Sequence, residues 1–183
     1  MELIWVLVVL AGLIVVWLIL TYNGLIKFRN RTDESWSDIE VQLKRRYDLI
    51  PNIVAAVKGY AKHEEGVFTK VTEARNAAMG ATSMKDHAKT ENMLTGALKS
   101  LFAVSEDYPQ LQASENFLNL QHELTDAEDK IAASRRFYNG NVRNFNTKLQ
   151  VFPTNLFVGM FGFKARDFFD APDVELEKPE VKF

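Results

Sequence analysis

The sequence contains no cysteine. Disulfides, thiolate zinc sites and cysteine nucleophiles are therefore excluded, although that alone does not fix the compartment. Neither charge is in excess, with 22 lysines and arginines against 24 aspartates and glutamates. Such a balance argues against a nucleic-acid partner. The nine glycines never approach G-x-x-x-x-G-K-[ST] or G-x-G-x-x-G, and no serine stands in G-x-S-x-G. The three histidines are scattered. His63 and His122 each precede a glutamate, but no second histidine follows four residues on, so H-E-x-x-H is missing. Glu-x-x-His, which places metal ligands on facing bundle helices, is missing too. Carboxylate pairs such as Glu106-Asp107 and Glu128-Asp129 are adjacent on helices and point to different azimuths, as solvated faces do. Catalytic, cofactor-binding and metal-binding residues are accordingly assigned to none, and no enzyme is expected.

The absence that decides most is one of charge near the N-terminus. Residues 3–26 hold no Asp, Glu, Lys, Arg or His. A helix of 18 to 24 residues spans about 27–36 Å, the thickness of a bilayer core. Trp5, Trp17 and Tyr22 lie towards its ends, where amphipathic aromatics favour headgroups. The preceding residues carry no Lys or Arg, the apolar run is too long for a signal-peptide core, and no A-x-A site follows. Residues 1–26 thus read as a retained single-pass anchor whose partner is the lipid bilayer. Lys27, Arg29 and Arg31 follow the span, which places the C-terminal body in the cytoplasm under the positive-inside rule.

Period-two alternation is also absent from the body, and no repeat of fixed length is visible. Leu25, Phe28, Trp36, Ile39, Leu43, Tyr47 and Ile50 recur at helical spacing. Asn23-Gly24 is a weak point where this helix, continuing from the span, could bend. Pro51 is expected to interrupt it and to start a second helix reaching about Met79. Gly59 and Gly66 within that helix are read as permitting close helix contact. Residues 80–85 form a connection, and Ser83-x-x-Asp86 is a capping signal. A shorter third helix follows, stopped near Pro109. The fourth carries an apolar seam from Phe117 to Phe152, or about 54 Å of helix, ended by Pro153. Its natural partner is the first long helix, running antiparallel. The fold class is therefore all-α: one transmembrane helix, then an extended antiparallel bundle of three to four long helices over residues 27–169. Residues 170–183, rich in Pro, Glu and Lys, read as a flexible C-terminal tail.

Three features stand out. Lys44-Arg45-Arg46 is either paired with Asp48 or with acidic positions on the fourth helix such as Glu123, Asp126 or Asp129, or a docking patch for acidic lipid or a partner. A straight helix puts it about 27 Å beyond Ile26, too far for headgroups, which favours pairing. Residues 138–146 place four asparagines and a glycine in the apolar seam, against local helix propensity. Those amides either set register between helices or contact another subunit. Residues 155–163 (NLFVGMFGF) either cap the open end of the bundle, or form an exposed patch that joins subunits or dips into a bilayer.

The order of motifs resembles a known family. The anchor leads to Tyr22-Asn23-Gly24-Leu25, Arg29-Asn30-Arg31 and Trp36, then to the block from Val41 to Asn52 (VQLKRRYDLIPN) and to Val57-Lys58-Gly59-Tyr60. Glu115-Asn116-Phe117, Gln121, Ala133-x-Arg135-Arg136, Tyr138-Asn139, Phe152-Pro153-x-Asn155 and Phe161-Gly162-Phe163 follow. From the anchor to about Phe169 the chain resembles the LemA family of bacterial membrane proteins. The resemblance implies a single-pass inner-membrane protein with a long helical bundle, no enzyme activity and no cofactor. It also points to another envelope protein, such as a membrane protease, as a partner. His63 matches a histidine common in the family, with no ligand attached to it. The expected function is a non-enzymatic, membrane-anchored helical scaffold that self-associates. The alternative is a membrane-binding or membrane-shaping protein acting through its apolar C-terminal segment.

Overall fold

The structure, a computed structural model, describes residues 1–169. The expected flexible tail, 170–183, lies outside the described residues. The elements are α1 (Glu2–Tyr60), α2 (Glu65–Met79), α3 (Met84–Glu106), α4 (Pro109–Gln112) and α5 (Glu115–Gln150), followed by a 3-10 turn at Thr154–Leu156. No strand occurs among the described residues. The all-helical expectation holds.

Pro51 does not interrupt the first helix. It lies inside α1. A proline in a helix interior removes the N–H that would bond the carbonyl four residues back, here that of Tyr47. The guanidinium of Arg75, on α2, fills the gap: its Nε donates to the Tyr47 carbonyl at 2.7 Å. The helix survives its proline because a neighbouring element supplies the missing donor. The real break falls ten residues later, at 61–64. Gly59 and Gly66 flank it, and a Cβ on either would meet nothing within 4 Å. They do not permit close packing, as the sequence suggested. Their poor helix propensity instead sits beside the break. Ser83 caps α3 as expected, its Oγ accepting from the Asp86 N–H at 3.1 Å and donating to the Asp86 carboxylate at 2.6 Å. At 23 residues, α3 is longer than α2 with 15, and not the short helix anticipated.

The chain divides into two units, each drawing on both long helices. One comprises residues 1–37 and 136–167. In it Leu25 of α1 is buried with Phe145 and Leu149 of α5 and with Phe163 beyond, and Ile26, Phe28, Val158 and Phe161 pack around them. Trp36 meets Tyr138 edge-on, ring centroids 5.6 Å apart. Ascending numbers on α1 thus meet descending numbers on α5, so the two segments run antiparallel. Before this core, α1 is apolar and bare. Leu3, Leu7, Leu10, Leu13, Val16 and Leu20 are all more than half exposed. A stretch long and apolar enough to cross a membrane that buries itself against nothing in its own chain differs from the core helix of a globular protein.

The other unit comprises 38–135 with, among the described residues, Phe168 and Phe169. Ile39, Leu43, Ile50, Ile53 and Val57 of α1, Val71, Ala74 and Ala78 of α2, Leu94, Leu98 and Leu101 of α3, and Phe117, Leu124, Ala127 and Ile131 of α5 are buried in it. Each large side chain so placed contributes about 1.5–3 kcal/mol relative to exposure. The predicted seam of α5 is therefore largely consumed inside the chain. Its last member, Phe152, falls beyond the end of the helix and is 78% exposed.

Candidate functional site

In the unit formed by 38–135, the stripes of two helices carry charge into the core. On α3 the buried residues are Glu91, Leu94, Leu98, Leu101 and Ser105, alternating three and four apart, so Glu91 is in phase with the leucines. Arg46 is likewise in phase with Ile39, Leu43, Ile50 and Ile53 of α1. Both are buried, at 1% and 0% exposure. Arg46 forms an ion pair with Glu91 and a fork to Glu128 of α5, with Nη1 at 2.8 and 2.9 Å from its two carboxylate oxygens. The Tyr47 hydroxyl donates to Glu91. Burial pushes the Tyr47 phenol above its usual pKa, against the opposing pull of Arg46 and Arg135. The rest of the basic run pairs nearby. Lys44 meets Asp48 at 2.9 Å, and Arg45 meets Asp126 at 2.7 Å. Asp126 also accepts from Lys130, and the hydrogen bonds from Lys130 and Arg45 hold its carboxyl below the usual range.

Pairing is thus where the Lys44-Arg45-Arg46 run goes, with Asp48 and Asp126 as anticipated. Glu128 is not the solvated carboxylate its spacing suggests but a partner of a buried arginine. Glu91 was not singled out at all. The signal was its phase: a carboxylate on an apolar stripe needs a cation opposite. Both carboxylates are taken up by Arg46, and Glu91 also accepts from Tyr47. The set links α1, α3 and α5 within this unit.

The histidines do not converge. His63 lies exposed in the 61–64 turn and His122 exposed on α5. His87, half-buried on α3, has its pKa pushed down by burial, opposed by Glu40 and Asp86. Among the described residues, no three histidine, aspartate or glutamate side chains come together as metal ligands.

The second candidate lies in the unit formed by 1–37 and 136–167. Here Asn146 of the asparagine segment has a use that neither expectation covered. The Asn146 amide donates to the Arg166 carbonyl at 2.8 Å and accepts from the Arg166 N–H at 2.9 Å, as a strand neighbour would. The Tyr138 hydroxyl donates to the Asp167 carbonyl at 3.0 Å, and burial raises the pKa of that phenol. Arg166 also reaches Asp33 of α1 at 2.7 Å. The side chains of α5 thus fasten the returning chain at 166–167.

Between α5 and that clasp, the apolar segment folds into a turn of helix, with the Phe161 N–H bonded to the Phe157 carbonyl at 3.1 Å. Gly162 ends it at φ +69°, a left-handed conformation that suits glycine. The Gly162 N–H reaches the Gly159 carbonyl and the Phe163 N–H reaches the Val158 carbonyl, both at 3.3 Å. That is a Schellman closure, with Phe163 in the buried cluster and Val158 packed against that cluster. The aromatic residues then climb α1. Phe157 packs on Trp17 with centroids 5.7 Å apart, Phe161 on Tyr22 at 5.2 Å, and Phe163 on Tyr22 at 5.8 Å. The Arg29 guanidinium lies 5.7 Å from the Phe163 ring. The other side of the same segment is bare: Phe152, Leu156 and Met160 are 78%, 63% and 80% exposed. The segment both caps its unit and presents an apolar patch.

An exposed apolar helix running on into an all-helical body defines a membrane-associated helical protein. The LemA family model matches residues 35–183, and the chain belongs to the LemA family. It is 29% identical to Protein LemA of Metamycoplasma hominis, over 84% of this chain and 70% of that one. It is 24% identical to Magnetosome protein MamQ 2 of Paramagnetospirillum magneticum, and 23% to Magnetosome protein MamQ of Magnetospirillum gryphiswaldense. Both of these matches cover 90% of this chain and 71% of the relative.

Proposed function

We propose that the protein is a non-enzymatic scaffold of the bacterial envelope, anchored in the cytoplasmic membrane by residues 3–26, with its body on the cytoplasmic side. The body presents helical surfaces to partner envelope proteins and to further copies of the chain. One observation carries this reading: the bare apolar stretch of α1 continues without a break into the helix that carries the charged lock. The polar groups buried in that body are spent on holding helices in register, which is what a binding platform needs of its core. Because the seam of α5 is buried within the chain, contacts with others fall on outward side chains such as Val41, Met93 and Leu118.

Crosslinking in living cells, followed by purification in mild detergent and mass spectrometry, tests this reading. Self-crosslinks through α1, α3 or α5, or a second envelope protein in fixed ratio, are the expected outcomes. A strictly monomeric protein that retrieves nothing contradicts it. Labelling of residues 38–135 from outside the cell would contradict the orientation.

A further inference from the structure

We propose that residues 151–163 form a second membrane contact: an interfacial foot that inserts Phe152, Leu156 and Met160 into the leaflet through which α1 leaves the bilayer. This rests on α1 being membrane-embedded and goes beyond the scaffold reading.

The segment has two sides with different fates. Phe157, Phe161 and Phe163 face α1 and are held there by Trp17 and Tyr22. Phe152, Leu156 and Met160, four residues apart in sequence, face away and are the most exposed large apolar side chains of the segment. Nothing in the chain covers them among the described residues. What covers them follows from what they adjoin. Trp17 belongs to the uncharged stretch 3–26, whose apolar side chains from Leu3 to Val16, with Ile19 and Leu20, are largely bare. A segment packed on Trp17 is at the depth of Trp17. With Tyr22 at the headgroup boundary, five residues of helix place Phe157 about 8 Å below it. That matches the 5–10 Å to which interfacial elements bury their apolar faces.

The flanking charges agree. Lys27 follows the span directly and Lys164 follows Phe163, and both are exposed. Apolar side chains at one level with lysines just above them are the pattern of an element seated at a headgroup surface. The partly paired backbone of the segment also suits that setting. The Schellman turn at Gly162 and the bonds at 151–157 pair several of the segment's backbone groups, which lowers the cost of seating it in a headgroup layer.

The test uses the absence of native cysteine. Single cysteines are introduced into the full-length chain as Phe152→Cys, Leu156→Cys and Met160→Cys, with Leu13→Cys in mid-span and Ser100→Cys on α3 as controls. Each is labelled with an environment-sensitive fluorophore and reconstituted in vesicles of phosphatidylcholine and phosphatidylglycerol. The first three labels are expected to be shielded from iodide and quenched most by lipids brominated near the headgroup. Leu13→Cys should be quenched by deeply brominated lipids and Ser100→Cys by iodide. If Leu13→Cys meets lipid while the three foot labels stay open to iodide, the foot is overturned and the anchor stands. If Leu13→Cys is itself open to iodide, the anchor fails and takes the foot with it. Labels shielded from iodide yet insensitive to brominated lipid, with pyrene excimers between chains, would assign the patch to a second copy and overturn the proposal. All three foot residues are exposed, so their replacement leaves folding intact, which circular dichroism verifies.

Discussion

Where α1 and α5 meet in the unit that carries the N-terminus, Leu25 is enclosed by Phe145, Leu149 and Phe163. Where they meet in the other unit, Arg46 of α1 reaches Glu128 of α5 and pairs with Glu91 of α3. The second junction therefore adds a buried ion pair to an apolar core, which the first lacks. Rings and methyls tolerate several arrangements of similar volume, and their energy grows with the area buried. A buried guanidinium tolerates one arrangement, because any other leaves a charge unpaired. The first unit gains adhesion and leaves apolar surface over. The second gains register.

That difference orders the responses to mutation. Arg46→Met leaves Glu91 buried without its cation and should cost about 3–5 kcal/mol of stability, whereas Arg46→Met combined with Glu91→Leu should recover most of the loss. Urea unfolding of the detergent-solubilised chain measures both. A loss below about 1 kcal/mol in the single variant would mean that Arg46 is not locked. Phe163→Ala removes a ring from the other core and should cost about 3 kcal/mol, with no partner substitution able to restore it. Next comes the repair at the proline. Arg75→Ala strands the Tyr47 carbonyl and should cost about 1–2 kcal/mol, and this cost should shrink in a Pro51→Ala background, where an N–H returns at position 51. An unchanged cost in that background would show that Arg75 acts through some other contact.

The smallest effect is one of pH, and it belongs to the charged unit alone. The pKa of His87 is lowered by burial from its ordinary 6.5. The folded state therefore binds fewer protons than the unfolded state in the window below 6.5. Stability is level above that window, falls as pH drops from about 6.5 towards the folded pKa, and levels off again below it. Glu40 and Asp86 oppose the shift, so Glu40→Gln should deepen the slope and His87→Gln should abolish it. Thermal melts between pH 5 and 8 read the difference.

The two units were not equally legible in the sequence. The bare span, the stripe of α5 and the Ser83 cap are local patterns, and they appear as their spacing predicts. Propensity is local, and Pro51 does not break the helix because Arg75 arrives from 28 residues beyond the Tyr47 carbonyl to complete its hydrogen bond. Glu91 was legible in principle, as a carboxylate on a leucine stripe, but its cation lies on another helix. Asn146 reads as a poor helix former until Arg166 returns to meet it. In each case the missing information was a contact distant in sequence.

The claim on which the membrane-facing half of this account rests is that residues 157–163 lie against the span of their own chain. The most direct measurement is to place Tyr22→Cys and Phe161→Cys in the cysteine-free protein and join them with a short bis-maleimide in native membranes. The account predicts a fast intrachain crosslink that leaves the protein at monomer size and needs both cysteines. Crosslinks only between chains, or none, would contradict it.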